Sequence, residues 1–214
     1  MQVKRTPIGA QSIAIVDYGM GNVRSVQKAI EHVAPNDRVF LTDNADLINE
    51  ADRIVFPGQG AMGACMQALN DHNLIDVIKR NAQEKPFLGI CLGLQLLFDS
   101  SEENGGTKGL SIMSGDVVKF ANSELKIPHM GWNTVKQSIE HPLWHNIDDN
   151  ARFYSVHSYY VAHADPSIVA GTTNYGLDFT CAVAKDNIFA AQFHPEKSQH
   201  DGLQLLTNFV NWKD

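Results

Sequence analysis

Apolar residues recur in two alternating patterns along the first half of the chain. Short apolar runs typical of buried β-strands lie at residues 12–17, 38–41, 53–56 and 86–90. Between these runs, apolar positions repeat with the spacing of amphipathic helices at residues 23–33 and 64–83. Because strands that alternate with helices form βαβ units, this half predicts a mainly parallel sheet. Ligands of such sheets bind beyond the C-terminal ends of the strands.

The pattern changes near residue 117, where short strand candidates begin to follow one another with little helix between them. They lie at residues 117–120, 134–136, 152–155, 159–162, 168–173, 181–184 and 188–193. We expect these strands to extend the sheet in antiparallel fashion, before a last amphipathic helix at residues 202–212. No linker or repeat divides the chain. The pattern therefore predicts a single α/β domain over residues 12–214, with a mixed, mainly parallel central sheet flanked by helices.

Composition and charge exclude several classes of protein. The 214 residues are enough for one well-buried domain, and the net charge of −7, without clustered Lys and Arg, argues against a nucleic-acid-binding surface. The longest apolar run, at residues 88–98, is shorter than the roughly 20 residues of a membrane span. Residues 1–11 form a short polar lead-in whose Lys4 and Arg5 precede no apolar core. We therefore expect no signal peptide, no membrane and a cytoplasmic location.

The three cysteines stand at irregular spacings that match neither a disulfide framework nor a zinc site. In a reducing compartment such thiols are usually small buried hydrophobes, and we interpret Cys65 and Cys181 in this way. Cys91 is different because of the residues around it.

Cys91 lies in the segment GICLG, residues 89–93, which follows an apolar strand and precedes a predicted helix over residues 92–98. This is the arrangement of a G-x-S-x-G nucleophile elbow with cysteine in place of serine. The tight turn would strain the backbone at Cys91, and the helix N-terminus would favour its thiolate. The amide of Leu92 would be free to donate to an oxyanion. The alternative is a buried cysteine in a glycine-flanked turn.

A second candidate is the segment HPE at residues 194–196, which ends the last predicted strand. Pro195 favours an extended conformation at His194, so His194 and Glu196 would point the same way. A carboxylate beside an imidazole fixes its tautomer and stabilises its charged form. Alone, the segment is also compatible with a solvated turn, but its strand would end at the same sheet edge as the elbow.

A third candidate is the segment FPGQG at residues 56–60, again after a predicted strand. Its glycines give a pliable loop with accessible amides, and a tetrahedral acyl intermediate needs about two such donors. Without the other two segments, a plain Pro-Gly turn is the simpler interpretation.

Other candidates point to no cofactor or metal. Arg24 stands where a dinucleotide fingerprint needs its third glycine, and no Walker lysine motif is present. We interpret His141 and His145 as surface histidines in a loop, and strand packing as the main role of His157.

Residues 89–95 (GICLGLQ) and 194–196 together resemble the class I, or triad, glutamine amidotransferases. Four blocks resemble more finely the glutaminase subunits of imidazole glycerol phosphate synthase, an enzyme of histidine biosynthesis. They are residues 17–22 (DYGMGN), 128–133 (PHMGWN), 156–160 (VHSYY) and 194–198 (HPEKS). The resemblance covers essentially the whole chain and implies the single-domain, flavodoxin-like class I amidotransferase fold. The chain departs from the family at Gln59, where an aliphatic residue is usual.

The resemblance implies a role for each matched position. The implied catalytic triad is Cys91 as nucleophile, His194 as general base and acid, and Glu196 as its orienting partner. The implied oxyanion hole comprises Leu92, Gly58, Gln59 and Gly60. The positions implied to hold the α-amino and carboxylate groups of glutamine are Gln95, Glu103, His157 and Ser158. The positions implied to face a partner are Asn22, Trp132 and Lys197.

The resemblance also implies a reaction and a partner. Glutamine would be hydrolysed through a cysteinyl thioester, and its ammonia would pass to a separate cyclase subunit in a heterodimer. The cyclase would form imidazole glycerol phosphate and aminoimidazole carboxamide ribonucleotide. The alternatives are a glutaminase for another synthase, such as one that aminates a surface sugar, a catalytically silent regulatory subunit, and a hydrolase of peptides or γ-glutamyl chains.

Overall fold

The computed structural model describes residues 10–121 and 125–213. The predicted lead-in at residues 1–11 therefore lies, except for its last two residues, outside the described residues. Within the described ranges the chain forms one α/β unit.

The β-strands, numbered in chain order, are β1 (Ser12–Val16), β2 (Arg38–Thr42), β3 (Arg53–Gly58), β4 (Phe87–Cys91), β5 (Ser100–Ser101), β6 (Thr107–Lys108), β7 (Asp116–Lys119), β8 (His129–Thr134), β9 (Lys136–Gln137), β10 (Arg152–His157), β11 (Tyr159–Ala162), β12 (Val169–Asn174), β13 (Asp178–Lys185) and β14 (Ile188–Ala191). The α-helices are α1 (Val23–Val33), α2 (Ala45–Glu50), α3 (Met62–Asp71), α4 (Ile75–Glu84), α5 (Leu92–Gln95) and α6 (Gln199–Asn211). No helix in the described ranges is long and apolar enough to cross a membrane.

The central sheet is mixed, as the sequence predicts. Its strands follow the order β2-β1-β3-β4-β14-β13-β11-β7-β5-β6, and β12 pairs with both β13 and β9. The first five strands of this order, β2-β1-β3-β4-β14, are parallel to one another. Strands β13 and β11 continue the sheet in antiparallel fashion. Strands β8 and β10 form a separate antiparallel ribbon. The order places β4 between β3 and β14, so the three candidate segments leave neighbouring strands at one sheet edge.

Helices cover both faces of the parallel strands, and the alternation of side chains along β1 shows how. Ile13 and Ile15 pack in a core cluster with residues of α1 and α6. Ala14 and Val16 point the opposite way, into a second cluster with residues of α2, α3 and α4. Strand β1 is therefore buried on both faces, which explains its continuous apolar run.

Three local predictions are wrong. The single helix predicted over residues 64–83 is two helices, because Asn73 adopts a positive φ of 55° between α3 and α4. Helix α2 was not predicted, although Asn44 caps it by accepting hydrogen bonds from the amides of Asp46 and Leu47. The strand predicted at residues 134–136 is instead the junction between β8 and β9, where the amide of Val135 donates to Ala151 outside both strands.

Two backbone segments approach closely beneath the elbow, where α5 crosses the end of β3. A Cβ atom on Gly93 would lie 1.9 Å from the carbonyl oxygen of Phe56. A Cβ on Gly58 would lie 2.9 Å from the Tyr18 hydroxyl and 3.0 Å from Cβ of Leu92. Only glycine therefore lets the turn after Cys91 sit against β3.

We expect Gly93→Ala to destabilise the fold by about 3 kcal/mol, because the clash is with main-chain atoms that cannot rotate away. Gly63→Ala, in the first turn of α3, is the matched control. Its Cβ would meet only the Thr107 side chain, 3.3 Å away. Chemical denaturation of both variants measures the difference. A Gly93→Ala protein as stable as Gly63→Ala would contradict this account.

Candidate active site

The elbow places Cys91 at the end of β4 in a strained conformation. Its φ is 57° and its ψ is −112°, outside the regions favoured by L-residues, and α5 begins at the next residue. The side chain is nearly buried, with the residue 8% exposed. Helix α5 is shorter than predicted, ending at Gln95 rather than residue 98. A single turn carries only a small macrodipole, so helix electrostatics contribute less to a thiolate here than the sequence implied.

His194 and Glu196 meet in a buried contact. Nδ1 of His194 lies 2.8 Å from Oε1 of Glu196, and their side chains are only 9% and 1% exposed. Strand β14 ends at Ala191, two residues earlier than predicted, and residues Pro195–Lys197 form a 3-10 turn. His194 is itself extended, as the prediction from Pro195 has it, but Glu196 lies within the 3-10 turn, so the two side chains meet across the start of that turn. The amide of His194 donates to Tyr154 at 2.8 Å, which anchors this turn to β10.

The imidazole of His194 is held in its charged form. Burial acts to lower its pKa, but interactions with Cys91 and Glu196 outweigh burial and raise the pKa from 6.5 to about 10. Its Nε2 atom is buried and has no hydrogen-bond partner among the described residues. That nitrogen is therefore available to exchange a proton with a molecule that enters beside Cys91.

A cavity of about 290 Å³ joins Cys91 and His194. The sequence-predicted residues that line it are Gln59, Gly60, Leu92, Gln95, Glu103, His157, Ser158 and Lys197. Gly58 does not line the cavity but lies beside Cys91 in the β3–β4 register. A larger and more open groove of about 700 Å³ along β5, β6 and β7 holds none of the predicted site residues.

The loop at residues 57–60 is anchored from beneath by two buried side chains. The Tyr18 hydroxyl donates to the carbonyl of Pro57 at 3.0 Å, and the Cys65 thiol donates to the carbonyl of Gln59 at 3.5 Å. Burial raises the pKa of Tyr18 and of Cys65, which keeps both groups protonated as donors. Cys65 and Cys181 are buried as predicted, but Cys65 also steadies this loop.

Two of the predicted glutamine-binding residues also make structural hydrogen bonds. Nε2 of Gln95 donates to the carbonyl of Tyr159 at 3.1 Å and to Oε1 of Gln192 at 2.8 Å. Oε2 of Glu103 accepts from the amide of Met62 at 2.6 Å, where it satisfies a free donor at the start of α3. One carboxylate oxygen of Glu103 is thus committed to the protein.

The sequence did not identify two polar residues around the cavity. His129 contacts His157, with Nδ1 of His129 3.0 Å from Nε2 of His157, and burial lowers the pKa of both, that of His157 to about 3. Gln192 is fully buried, and its Nε2 lies 3.9 Å from Sγ of Cys91. Gln192 follows the last residue of β14 and stands two positions before His194.

Two of the three predicted partner-facing residues meet on one aromatic ring. Trp132 and Tyr154 have ring centroids 6.2 Å apart, and Nζ of Lys197 lies 5.9 Å from the centre of the Tyr154 ring. Trp132 is 37% exposed, and Met130, on the same strand, is 58% exposed. Asn22 is exposed elsewhere, at the start of α1. The ribbon of β8 and β10 therefore presents apolar side chains to solvent beside the cavity.

His141 lies in a loop, as predicted, but it is half-buried rather than fully exposed. Its Nδ1 accepts from the amide of Leu143 at 3.1 Å, and its ring packs against Phe189 and Trp212. Burial lowers its pKa to about 4. His145 is exposed, as expected.

Comparison with known proteins agrees with this geometry. Residues 14–212 match the family described as glutamine amidotransferase class-I. Two similar curated proteins are both called imidazole glycerol phosphate synthase subunit HisH. The protein from Nitrosomonas europaea is 57% identical over 94% of this chain and 98% of its own. The protein from Hydrogenovibrio crunogenus is 55% identical over 94% of this chain and 96% of its own.

Solved structures show the same fold at low sequence identity. A structure of PurLQS from Thermotoga maritima aligns with a TM-score of 0.73 at 18% identity, covering 94% of this chain and 98% of that one. The glutaminase domain of Trypanosoma brucei CTPS, solved with bound acivicin, aligns with a TM-score of 0.66 at 17% identity, covering 94% of each chain.

We expect the pKa of His194 to be shifted upwards and the pKa values of His141 and His157 to be shifted downwards. At pH 7 His194 should be an imidazolium, whereas His141 and His157 should be neutral, because the pKa of His194 is raised to about 10 and those of the other two are lowered to about 4 and 3. Ring nitrogen chemical shifts in NMR spectra recorded from pH 5 to 10 measure all three.

The directions of these pKa shifts also predict how folding stability depends on pH. The stabilisation that His194 contributes is complete below pH 6.5 and is lost as pH rises towards 10. The stabilisation that His141 and His157 contribute is complete above pH 6.5 and is lost as pH falls towards 3. Glu196→Gln should lower the pKa of His194 by removing one of the interactions that raise it. A neutral His194 at pH 7 in the wild-type protein would contradict this assignment.

Proposed function

We propose a function for this chain from its membership: it belongs to the class I glutamine amidotransferase family and, within it, to the HisH subunits of imidazole glycerol phosphate synthase. It hydrolyses L-glutamine to glutamate and ammonia in histidine biosynthesis. The ammonia passes to a cyclase subunit, which forms imidazole glycerol phosphate and aminoimidazole carboxamide ribonucleotide. We place the amidotransferase domain at residues 12–214 and the protein in the cytoplasm.

The contact of His194 with Glu196 beside Cys91 carries this proposal. The Cys91 thiolate attacks the side-chain amide carbon of glutamine, forming a C–S bond as the carbonyl electrons move onto oxygen. His194, charged at neutral pH, then gives its Nε2 proton to the leaving nitrogen, and ammonia departs from a glutamyl thioester. A water molecule, deprotonated by the now neutral His194, hydrolyses the thioester. Glu196 keeps the proton-carrying nitrogen facing Cys91.

The developing oxyanion requires donors beside Cys91. The amide of Leu92, at the first residue of α5, is one. The loop Gly58-Gln59-Gly60 supplies the second, and the anchoring of this loop by Tyr18 and Cys65 supports its role. The Gln59 side chain replaces the family's usual aliphatic residue without removing a main-chain donor.

Other residues that line the cavity bind the α-ammonium and α-carboxylate groups of glutamine. Glu103 has one carboxylate oxygen engaged with Met62 and uses the other for the α-ammonium group. His157 and Ser158 border the same space and face the α-carboxylate. Gln95 completes the wall through its side-chain oxygen.

The partner is a cyclase subunit in a one-to-one heterodimer. Ammonia released into water becomes ammonium and loses its nucleophilic lone pair, so productive transfer needs an enclosed path between subunits. The exposed apolar side chains of Met130 and Trp132 beside the cavity support a docking surface there. Lys197 on the Tyr154 ring extends that surface, and Asn22 at α1 would meet the partner at a separate exposed position.

Glutamate release from glutamine tests the function, with and without the cyclase subunit of the same organism and a cyclase ligand. We expect the cyclase to accelerate release, and Cys91→Ala to reduce release to background, because none of the other described residues that line the cavity carries a comparable nucleophile. Cys181→Ala is the matched control for loss of a buried thiol outside the cavity, and it should retain Cys91-dependent release. Glutamate is measured by coupled oxidation.

The outcomes separate the alternatives. Cys91-dependent release without any effect of the cyclase would assign the chain to another synthase. Peptide cleavage without glutaminase activity would indicate a hydrolase, and no release under any condition would indicate a silent subunit.

The docking surface is tested by Trp132→Ala, which removes a large exposed ring. We expect the affinity for the cyclase to fall roughly tenfold or more, as for an aromatic anchor at a protein interface. Isothermal titration calorimetry measures this, with Arg80→Ala on α4 as the control at an exposed position away from the ribbon. Equal affinities for the two variants would place the interface elsewhere.

A further inference from the structure

A chain of hydrogen bonds runs from a main-chain carbonyl to the nucleophilic sulfur. The carbonyl of Tyr159 accepts from Nε2 of Gln95, which also donates to Oε1 of Gln192. Nε2 of Gln192 in turn lies 3.9 Å from Sγ of Cys91. Gln95 is 4% exposed and Gln192 is fully buried, so no bulk water competes for these contacts.

The Tyr159 carbonyl fixes the donor-to-acceptor direction of every hydrogen bond in this series. A carbonyl oxygen only accepts, so the Gln95 atom that faces Tyr159 must be its nitrogen. That nitrogen has a second hydrogen, which requires an oxygen on Gln192. The nitrogen of Gln192 therefore faces Cys91. Turning the Gln192 amide over would set two NH₂ groups against each other and an oxygen against the sulfur.

The same carbonyl also contacts His157, which in turn contacts His129. Nδ1 of His157 donates to Tyr159 at 2.8 Å, which leaves Nε2 of His157 to accept from Nδ1 of His129. Nε2 of His129 then accepts from Nδ2 of Asn133 at 3.3 Å. Every donor in this branch meets an acceptor only when both histidines are neutral, in agreement with their lowered pKa values.

We infer that Gln192 is a positioning residue that donates an N–H hydrogen bond to the Cys91 thiolate, and that Gln95 and the Tyr159 carbonyl set the orientation of its amide. Helix α5 is a single turn and contributes little, so the N–H of Gln192 would add to the positive charge that His194 already places beside the sulfur. Hydrogen bonds to charged groups are stronger than those between neutral groups. Gln192 therefore favours the thiolate over the thiol. The inference rests on the proposed function only in taking Cys91 as the nucleophile.

The test measures the rate at which iodoacetamide alkylates Cys91, read by peptide mass spectrometry between pH 5 and 9. We expect Gln192→Met, which removes the donor but keeps the length, to slow alkylation at pH 7 roughly tenfold. Its alkylation should also rise at a higher pH than that of the wild-type protein. Gln192→Glu keeps the acceptor for Gln95 but turns an oxygen towards the sulfur, so it should be slower still at neutral pH.

The dependence on Gln95 is tested by a double-mutant cycle. Gln95→Met should slow alkylation because it frees the Gln192 amide to rotate, and the double variant should be no slower than Gln192→Met alone. Gln137→Met is the matched control, since Nε2 of Gln137 donates to the carbonyls of Ile147 and Asp148 away from the cavity. It should be alkylated at the wild-type rate.

A measurement on the wild-type protein covers the case in which a buried variant does not fold. Alkylation removes the charge of Cys91, so the side-chain amide resonances of Gln192 should shift in NMR spectra, while those of Gln137 stay in place. Unchanged Gln192 resonances, or wild-type alkylation rates in folded Gln192→Met and Gln192→Glu proteins, would overturn the inference. Neither readout uses glutamine or the cyclase, so failure here is distinct from failure of the glutaminase assay.

Discussion

The close packing of α5 against β3 is the constraint on which the site depends. A Cβ atom at position 93 would lie 1.9 Å from the Phe56 carbonyl oxygen. Because Gly93 has no Cβ, the chain after β4 can turn within one residue and leave Cys91 at a φ of 57°. That turn brings Cys91 and Leu92 to the wall of the cavity. The strain at Cys91 is balanced by the buried strands on either side of β4, which fix both ends of the turn.

The last parallel strand, β14, supplies the other half of the site. Strand β14 runs parallel to β4 and carries Gln192 and His194 to the same edge. Burial alone would make every histidine there neutral, and His157 and His129 are lowered in pKa for that reason. His194 differs because Cys91 and the buried carboxylate of Glu196 lie on either side of its ring. Neighbouring charges, rather than depth, therefore decide which imidazole carries a proton.

Much of this arrangement is visible in the sequence because it rests on local patterns. The alternation of apolar strands with helices predicts the parallel half of the sheet, and GICLG after an apolar strand predicts the elbow. The break at Asn73 and the short α2 were missed because a continuous helical spacing hides a single residue of positive φ, and a six-residue helix has too little periodicity to detect. The role of Cys65 under the loop, and of His129 beside the cavity, depends on contacts between distant segments that no local pattern encodes.

The direction of the hydrogen bonds around Cys91 likewise depends on contacts between distant segments rather than on a local sequence pattern. A glutamine amide has two faces of nearly equal shape, and nothing in the sequence distinguishes a Gln192 that donates to the sulfur from one that repels it. The distinction arises only when Tyr159 places a main-chain acceptor beside Gln95, since a carbonyl permits one orientation of the amide that faces it. The elbow brings Cys91 to the cavity, and a main-chain acceptor on β11 determines which atom of Gln192 the sulfur meets. The electrostatics of the nucleophile are therefore a property of the folded sheet edge rather than of the motif that marks it.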